Sequence, residues 1–179
     1  MELSEVIKKR KSIRRYLDKE IPHDVISEIV ELARFAPSWK NTQIVRVNIV
    51  EDKEIIKKIA YECNYDFTYN IPTIESAKAL CVLTFVKGKS GFDKDGSFST
   101  TKEDRWEMFD SGLFAMNFEL LATEKGIGTC TIGYFDEAKI LEILGLEDMG
   151  IGCLITMGYP DEEPNIRPRK EVSELLKYI

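Results

Sequence analysis

The sequence contains few residues of the types that build metal sites and disulfide frameworks. Its 179 residues include one histidine, His23, and four cysteines, none of which forms a Cys-x-x-Cys pair. A zinc site or a disulfide-stapled domain needs closer cysteine spacing or more histidine than this. The composition therefore predicts a reduced, metal-free protein.

A basic excess and a long apolar run are also missing. The net charge is −6, whereas a protein that contacts the phosphate backbone of nucleic acid normally carries an excess of Lys and Arg. The longest strongly apolar runs, such as residues 80–86, are too short to cross a bilayer. The N-terminus lacks the apolar region of a signal peptide. We therefore expect a cytoplasmic protein with neither a nucleic acid nor a membrane partner.

Helical and strand-like patterns alternate along the chain and predict one domain, residues 1–179. Hydrophobic periodicity predicts helices near residues 2–10, 23–35, 52–61, 103–125 and 136–144, and strands near residues 44–50, 78–86, 129–134 and 152–158. The nearly continuous apolar run at 78–86 indicates a strand that is buried on both faces. The longest helix carries Met108, Leu113, Met116, Leu120 and Leu121. This order favours an α+β or α/β three-layer sandwich around a single core.

Residues 87–102 show no periodicity and are rich in Gly, Ser, Lys, Asp and Thr. A stretch of this length without regular structure is either disordered or a functional loop. Phe98 and Trp106, in the loop and at the start of the following helix, are candidates for a lid over a binding site. Simple packing of the two rings is an equally good interpretation.

Two basic segments lie at opposite ends of the sequence. The first is Arg10-Lys11-Ser12-Ile13-Arg14 and the second is Arg167-Pro168-Arg169-Lys170. Guanidinium groups present fixed donors that match phosphate, and a serine hydroxyl can donate beside them. Each segment alone is more typical of a solvated surface or of a favourably charged helix end. The second segment gains meaning only if it folds back towards Arg10 and Arg14.

Two further segments carry groups that suit a heterocycle. In residues 36–43 (Ala-Pro-Ser-Trp-Lys-Asn-Thr-Gln), the Ser, Asn and Gln side chains can bond a ring edge, or they can simply organise the turn. Residues 126–134 contain three glycines, which allow another group to approach the backbone closely. They are not a dinucleotide fingerprint, since that motif needs a strand before it and a helix after it.

Taken in order, these segments resemble the FMN-binding nitroreductase-like family. The resemblance also includes Asp110-Ser111-Gly112 and the Met-Gly-Tyr-Pro sequence at 157–160. It implies a three-layer α/β/α sandwich of the nitroreductase type. It further implies a domain-swapped homodimer in which the tail 161–179 is exchanged, with FMN as cofactor at the interface.

The resemblance also assigns roles to individual residues. Arg10 would lie with Arg167 and Arg169 around the FMN phosphate, and Arg14 near the pyrimidine edge of the ring. A backbone N–H near Gly133 could donate to flavin N5. The remaining cofactor contacts it implies are Lys11, Ser12, Pro37, Ser38, Trp39, Asn41, Asn70, Thr131 and Ile132, of which the turn residues 37–41 would come from the other subunit. The flavin carries the chemistry, so no side-chain nucleophile is required.

The implied activity is transfer of two electrons from NADH or NADPH, through FMN, to a small acceptor such as a nitroaromatic or a quinone, in a ping-pong cycle. Three alternatives stay open. The fold can carry another reaction, as in a dehalogenase or an ene-type reductase, or the protein can bind flavin without catalysis. A nucleic-acid binder built on residues 8–15 is the third alternative, which the acidic balance disfavours.

Overall fold

The computed structural model describes residues 1–165 and 167–179. The helices are α1 (Leu3–Lys9), α2 (His23–Ala33), α3 (Lys53–Glu62), α4 (Ile71–Ser76), α5 (Arg105–Glu124), α6 (Glu137–Leu144) and α7 (Val172–Leu175). The strands are β1 (Val45–Val50), β2 (Ala79–Val86), β3 (Gly128–Ile132) and β4 (Met149–Gly158). The predicted elements are confirmed with small shifts at their ends. The sequence patterns did not indicate α4 or the two short 3-10 turns, Trp39–Asn41 and Thr68–Asn70.

The four strands form one antiparallel sheet in the order β1-β2-β4-β3. Seven of the eight residues of β2 are buried, which confirms the prediction that this strand is covered on both faces. Side chains alternate between the faces of a strand. Ala79, Cys81 and Leu83 accordingly pack with α2 and α5, whereas Leu80 and Val82 pack with α3 and α6. The three-layer α/β/α sandwich is confirmed.

The long helix α5 is buried mainly through residues other than the methionines that stand out in its sequence, although Leu121 also packs against the core. Met108 and Met116 are about half exposed. Phe114 and Phe118 are buried instead, together with the small Ala115 and Ala122. Because apolar side chains occur on both sides of this helix, periodicity alone does not show which side meets the sheet.

The segment between α1 and α2 runs along the free edge of β3. The Ile13 N–H donates to the Thr129 carbonyl at 2.8 Å, and Ser12 forms a parallel bridge with Thr129. Gly128 permits this approach, since a Cβ there would lie 2.8 Å from the Ile13 side chain. The edge of the sheet thereby fixes the position of the basic residues on either side of Ser12.

Residues 87–104 fold against α5 and are held at several points. The Gly88 N–H donates to the Glu107 carboxylate at 2.6 Å, and burial raises the pKa of Glu107. Phe92 and Phe98 pair across the loop with ring centroids 5.0 Å apart. This segment is therefore an ordered loop rather than a disordered one.

The described residues contain neither a membrane-spanning helix nor a cluster of metal ligands. Within 1–165 and 167–179 no helix combines the length and the apolar character needed to cross a membrane. The same residues contain no group of three or more His, Cys, Asp or Glu side chains arranged to hold a metal ion.

Candidate functional site

The two basic segments from opposite ends of the sequence meet at one open cavity of about 670 Å³. Its volume lies within the range of roughly 300–1,000 Å³ that is typical of small-molecule sites. The described residues that line it include Ser12, Ile7, Pro164 and Asn165 and six cationic side chains, namely Lys8, Arg10, Lys11, Arg14, Arg167 and Arg169. The tail therefore folds back towards Arg10 and Arg14. Arg167 and Arg169 can accordingly bind the same ligand as the N-terminal basic residues.

Local contacts fix the backbone on the N-terminal side of this cavity. Arg10 ends α1, where its N–H donates to the Val6 carbonyl at 2.9 Å. The Arg14 N–H donates to the Glu162 carboxylate at 2.5 Å. Tyr16 anchors the same segment, because its buried hydroxyl donates to the Ile13 carbonyl at 2.5 Å. The Arg14 side chain stays exposed, so its charge is available to a ligand.

Thr131, Ile132 and Gly133 lie at the end of β3. Ile132 is buried in the core, whereas Thr131 and Gly133 are exposed. A Cβ added at Gly133 would meet no atom within 4 Å. The backbone there is open to a flat group that approaches it closely.

A buried carboxylate links this strand end to the basic segment. Glu119 of α5 is 6% exposed, and its Oε1 accepts a hydrogen bond from Thr131 Oγ1 at 2.5 Å. Its other oxygen, Oε2, lies 3.9 Å from Arg10 Nη1. Thr131 and Arg10, which are 121 positions apart in the sequence, therefore share one acidic partner.

Cys130 lies close to these groups but is a poor nucleophile. Burial raises the pKa of its thiol, and nearby Glu119 adds to that effect while Arg14 opposes it. A thiol with a raised pKa is protonated at neutral pH, and the thiolate is the reactive form. This agrees with the expectation that a bound cofactor carries the chemistry.

The turn at residues 38–43 has an unusual backbone. Lys40, Asn41 and Gln43 all have positive φ, at 48°, 57° and 50°. Residues other than glycine adopt this region at a cost, and such residues cluster at functional sites. The Ser38 hydroxyl accepts from the Gln43 N–H at 2.9 Å and closes the turn. Part of the polar character of this segment is therefore used to organise the turn.

Asp110 of α5 holds the turn to the rest of the protein. Its buried carboxylate accepts from the Trp39 N–H at 3.0 Å and from the Ser90 hydroxyl. The Trp39 ring packs on Trp106, with centroids 4.6 Å apart. Trp106 therefore packs against the turn, while Phe98 is half exposed in the loop.

Within a single chain, the turn does not join the basic cavity. Pro37 and Ser38 line a separate, smaller cavity of about 130 Å³, together with Asp110 and Phe114. Trp39 and Asn41 lie on the same turn. The structure thus brings Arg10, Lys11, Ser12, Arg14, Arg167 and Arg169 together, and places the turn residues elsewhere.

Exposed aromatic rings cluster around the segment that contains Asn70. Tyr134, directly after Gly133, lies edge-on to Tyr65 and Phe67 at centroid distances of 5.7 Å and 5.1 Å. Tyr69 lies 6.0 Å from Phe67. Asn70 follows Tyr69 and precedes α4. We call Tyr65, Phe67, Tyr69 and Tyr134 the aromatic cluster.

Three features were not predicted from the sequence: Glu119, the hydrogen bond that the Trp39 N–H of the turn donates to Asp110, and the aromatic cluster. A charged residue directly after Phe118, on a helix that is otherwise buried there, is a signal that could have identified Glu119. The aromatic cluster has no such signal, since its rings come from residues 65–69 and from residue 134.

Comparisons with known proteins match the whole architecture. The model of the family described as "Nitroreductase family" matches residues 7–159. An NADH dehydrogenase of Thermus thermophilus is 28% identical over 87% of this chain and 85% of its own length. A nitroreductase family protein of Streptococcus pneumoniae TIGR4 has a crystal structure that superposes with a TM-score of 0.86 at 25% identity, covering 99% of this chain and 100% of that one.

One further solved structure was determined with a cofactor. A Desulfovibrio desulfuricans protein in complex with FMN superposes with a TM-score of 0.78 over 100% of this chain and 97% of that chain. Its sequence is 21% identical. At that identity the likeness concerns the fold.

Proposed function

The chain belongs to the nitroreductase family, and we propose that it is an FMN-dependent oxidoreductase. It would pass two electrons from NADH or NADPH to a small acceptor such as a nitroaromatic or a quinone. Nicotinamide and acceptor use the site in turn, in a ping-pong cycle. The observation that carries this proposal is the meeting of Arg10, Arg167 and Arg169 at one cavity, with the Glu119 carboxylate joining Arg10 to Thr131, two residues before the open backbone of Gly133.

The donor set of the cavity suits the phosphate of FMN. Arginine guanidinium groups bind phosphate through charge-assisted hydrogen bonds, which are stronger than neutral ones. Arg10, Arg167 and Arg169 would hold the phosphate, with Lys11 and Ser12 adding a charge and a hydroxyl donor. Among the described residues that line this cavity none is acidic, so the lining itself favours an anionic group.

The strand end suits the ring of the cofactor. When bound, FMN supplies the redox chemistry by taking a hydride from nicotinamide and passing it on. The open backbone at Gly133 would donate its N–H to the N5 edge of the ring. Arg14, whose charge is exposed, would lie at the pyrimidine edge and stabilise negative charge there. Thr131, Ile132 and Asn70 complete the proposed ring contacts.

We further propose that a second copy of the chain completes the site. The turn that carries Pro37, Ser38, Trp39 and Asn41 lines a different cavity from the basic residues of its own chain. A homodimer would let the turn of one copy reach the cofactor of the other. If the tail 161–179 is exchanged between the copies, Arg167 and Arg169 of each copy would line the equivalent cavity of the other. Exposed apolar side chains of α5 and of the C-terminus support such an interface, among them Met108, Phe109, Met116, Leu175, Leu176 and Tyr178.

The aromatic cluster favours a flat acceptor. Aromatic rings stack on other flat groups in offset geometry, and Tyr134 directly follows the residue that we place beside the flavin. The cluster is exposed in the chain, and exposed apolar patches of this kind commonly mark binding sites. A nitroaromatic or a quinone therefore fits better than an aliphatic acceptor.

A visible absorption spectrum tests the central proposal. We expect protein reconstituted with FMN to absorb near ~450 nm, and addition of NADH or NADPH without oxygen to bleach that band, because the absorbance belongs to the oxidised cofactor. An acceptor added afterwards should restore it. Protein that does not bind FMN would contradict every flavin-based interpretation.

Two other results would select the alternatives. Flavin that binds but is bleached by dithionite and by neither nicotinamide would indicate a flavin-binding protein without this activity. Flavin that nicotinamide reduces, but that only a halogenated aromatic or an activated alkene reoxidises, would indicate another reaction on the same fold.

Replacing Tyr134 by alanine tests the assignment of the acceptor site. We expect KM for a nitroaromatic acceptor to rise about 2- to 12-fold, which corresponds to the roughly 0.5–1.5 kcal/mol of an aromatic pair. FMN affinity should stay unchanged. Tyr61→Ala is the matched control, because Tyr61 is an equally exposed tyrosine whose hydroxyl donates to Glu75 outside the cluster. Equal KM values for the two variants would place the acceptor elsewhere.

A further inference from the structure

We propose that Glu119 is a positioning residue that orients Arg10 and Thr131 for the flavin and sets the charge beside the ring; this inference rests on the FMN site proposed above. Glu119 is contributed by α5, and its two oxygens face two different partners: Thr131 Oγ1 at 2.5 Å and Arg10 Nη1 at 3.9 Å. It does not line the cavity itself. It therefore acts through its partners rather than by touching the cofactor.

Glu119 is buried, so its carboxylate depends on its contacts with Thr131 and Arg10 for stabilisation. An ionised carboxylate is costly to remove from water unless it is paired and hydrogen-bonded. The side chain of Glu119 is 8% exposed and that of Arg10 is 19% exposed, so the pair is partly shielded from solvent. Without Glu119, the Arg10 guanidinium would lose its acidic neighbour and would be free to turn towards solvent.

The bond to Thr131 concerns the other end of the proposed site. Thr131 lies two residues before Gly133, at the end of the edge strand β3. β3 pairs with β4 on one side and is bonded by Ile13 at Thr129 on the other, so an anchor at Thr131 further restricts the end of the strand. The Glu119 carboxylate supplies such an anchor from the helix beneath. The phosphate end and the ring end of the proposed site are therefore tied to one side chain.

Glu119 also has an electrostatic role that a purely structural residue would not have. Its negative charge offsets part of the positive potential that Arg10 and Arg14 create, and such charges act strongly in a partly desolvated site. Reduction adds negative charge to the flavin, so a nearby carboxylate makes reduction less favourable. Removing the charge should therefore move the midpoint potential of bound FMN to a more positive value.

Two substitutions separate these roles. Glu119→Gln keeps an oxygen that accepts from Thr131 but removes the charge. We expect FMN affinity within about 3-fold of the parent protein and a more positive midpoint potential. Glu119→Ala removes both contacts, and we expect FMN affinity to fall about 10-fold, the size of one lost charge-assisted bond. Titration with FMN and an anaerobic redox titration of the flavin-loaded protein measure the two quantities.

Glu124→Gln is the matched control, because it removes the same charge from the exposed end of the same helix. Its potential and FMN affinity should equal those of the parent protein. If the potential of Glu119→Gln also equals the parent value, and Glu119→Ala binds FMN normally, the inference is overturned while the proposed function stands. If the parent protein binds no FMN, the proposed function itself fails, and the inference fails with it.

Discussion

Alanine in place of Arg169 is expected to weaken FMN binding by about 1.5–3 kcal/mol, the scale of a hydrogen bond to a charged group. This corresponds to an increase of about 10- to 150-fold in the dissociation constant. Arg169 lines the basic cavity, and its Nη1 donates to the Arg167 carbonyl at 3.1 Å, which orients the guanidinium. Quenching of flavin fluorescence on titration with apoprotein measures the change.

The neighbouring Lys170 provides the control for Arg169. Lys170 carries the same charge in the same tail, but its ammonium lies 3.9 Å from Glu174 and it does not line the cavity. Lys170→Ala should leave FMN affinity within about 2-fold of the parent value, because a surface ion pair contributes little. Equal affinities of the parent and Arg169→Ala proteins would mean that the tail does not reach the phosphate.

Replacing Phe118 by alanine is expected to lower the free energy of unfolding by about 3–5 kcal/mol. Phe118 is fully buried between α5 and the sheet, in the cluster that includes Ile29 and Ile155. The substitution removes the ring and leaves a cavity that the surrounding side chains fill only in part. The loss is a large part of the total stability of a typical domain, about 5–15 kcal/mol. Urea denaturation at one protein concentration measures it.

Phe118→Leu keeps most of the apolar volume at the same position. It should cost less than about 1.5 kcal/mol. Substitutions at Phe118 test the packing of the core and not the candidate site. Glu119 directly follows Phe118 on the helix, but it faces Arg10 and Thr131. If Phe118→Ala were as stable as the parent protein, α5 would not be packed on the sheet as described.

Most of the fold was predictable, because the patterns that specify it are local. The apolar run of β2 and the breaks at Pro37 and Gly126 place the elements to within a few residues. The short helix α4 was not predicted, since its six residues are too few to show a 3.6-residue period. The side of α5 that packs was also not predicted, because this helix carries apolar residues on both sides.

The candidate site was predictable in its residue types but not in its arrangement. Arginines, a serine and a Gly-rich strand end are visible in the sequence and indicate a phosphate-bearing ligand. Whether Arg167 and Arg169 fold back to Arg10 depends on a return of the chain over about 160 positions, and a local pattern contains no information on such contacts. The separation of the Trp39 turn from the basic cavity is a long-range result of the same kind.

The sequence by itself therefore determined the order of helices and strands, the three-layer class and the identity of most side chains proposed to bind FMN. Hydrophobic periodicity and turn residues act over a few positions, so they can be read along the chain. The tertiary structure decided which charges meet, that Glu119 lies between Arg10 and Thr131, and that Asp110 holds the Trp39 turn. A carboxylate becomes a partner of distant residues only when packing removes it from water, and burial is a property of the folded chain.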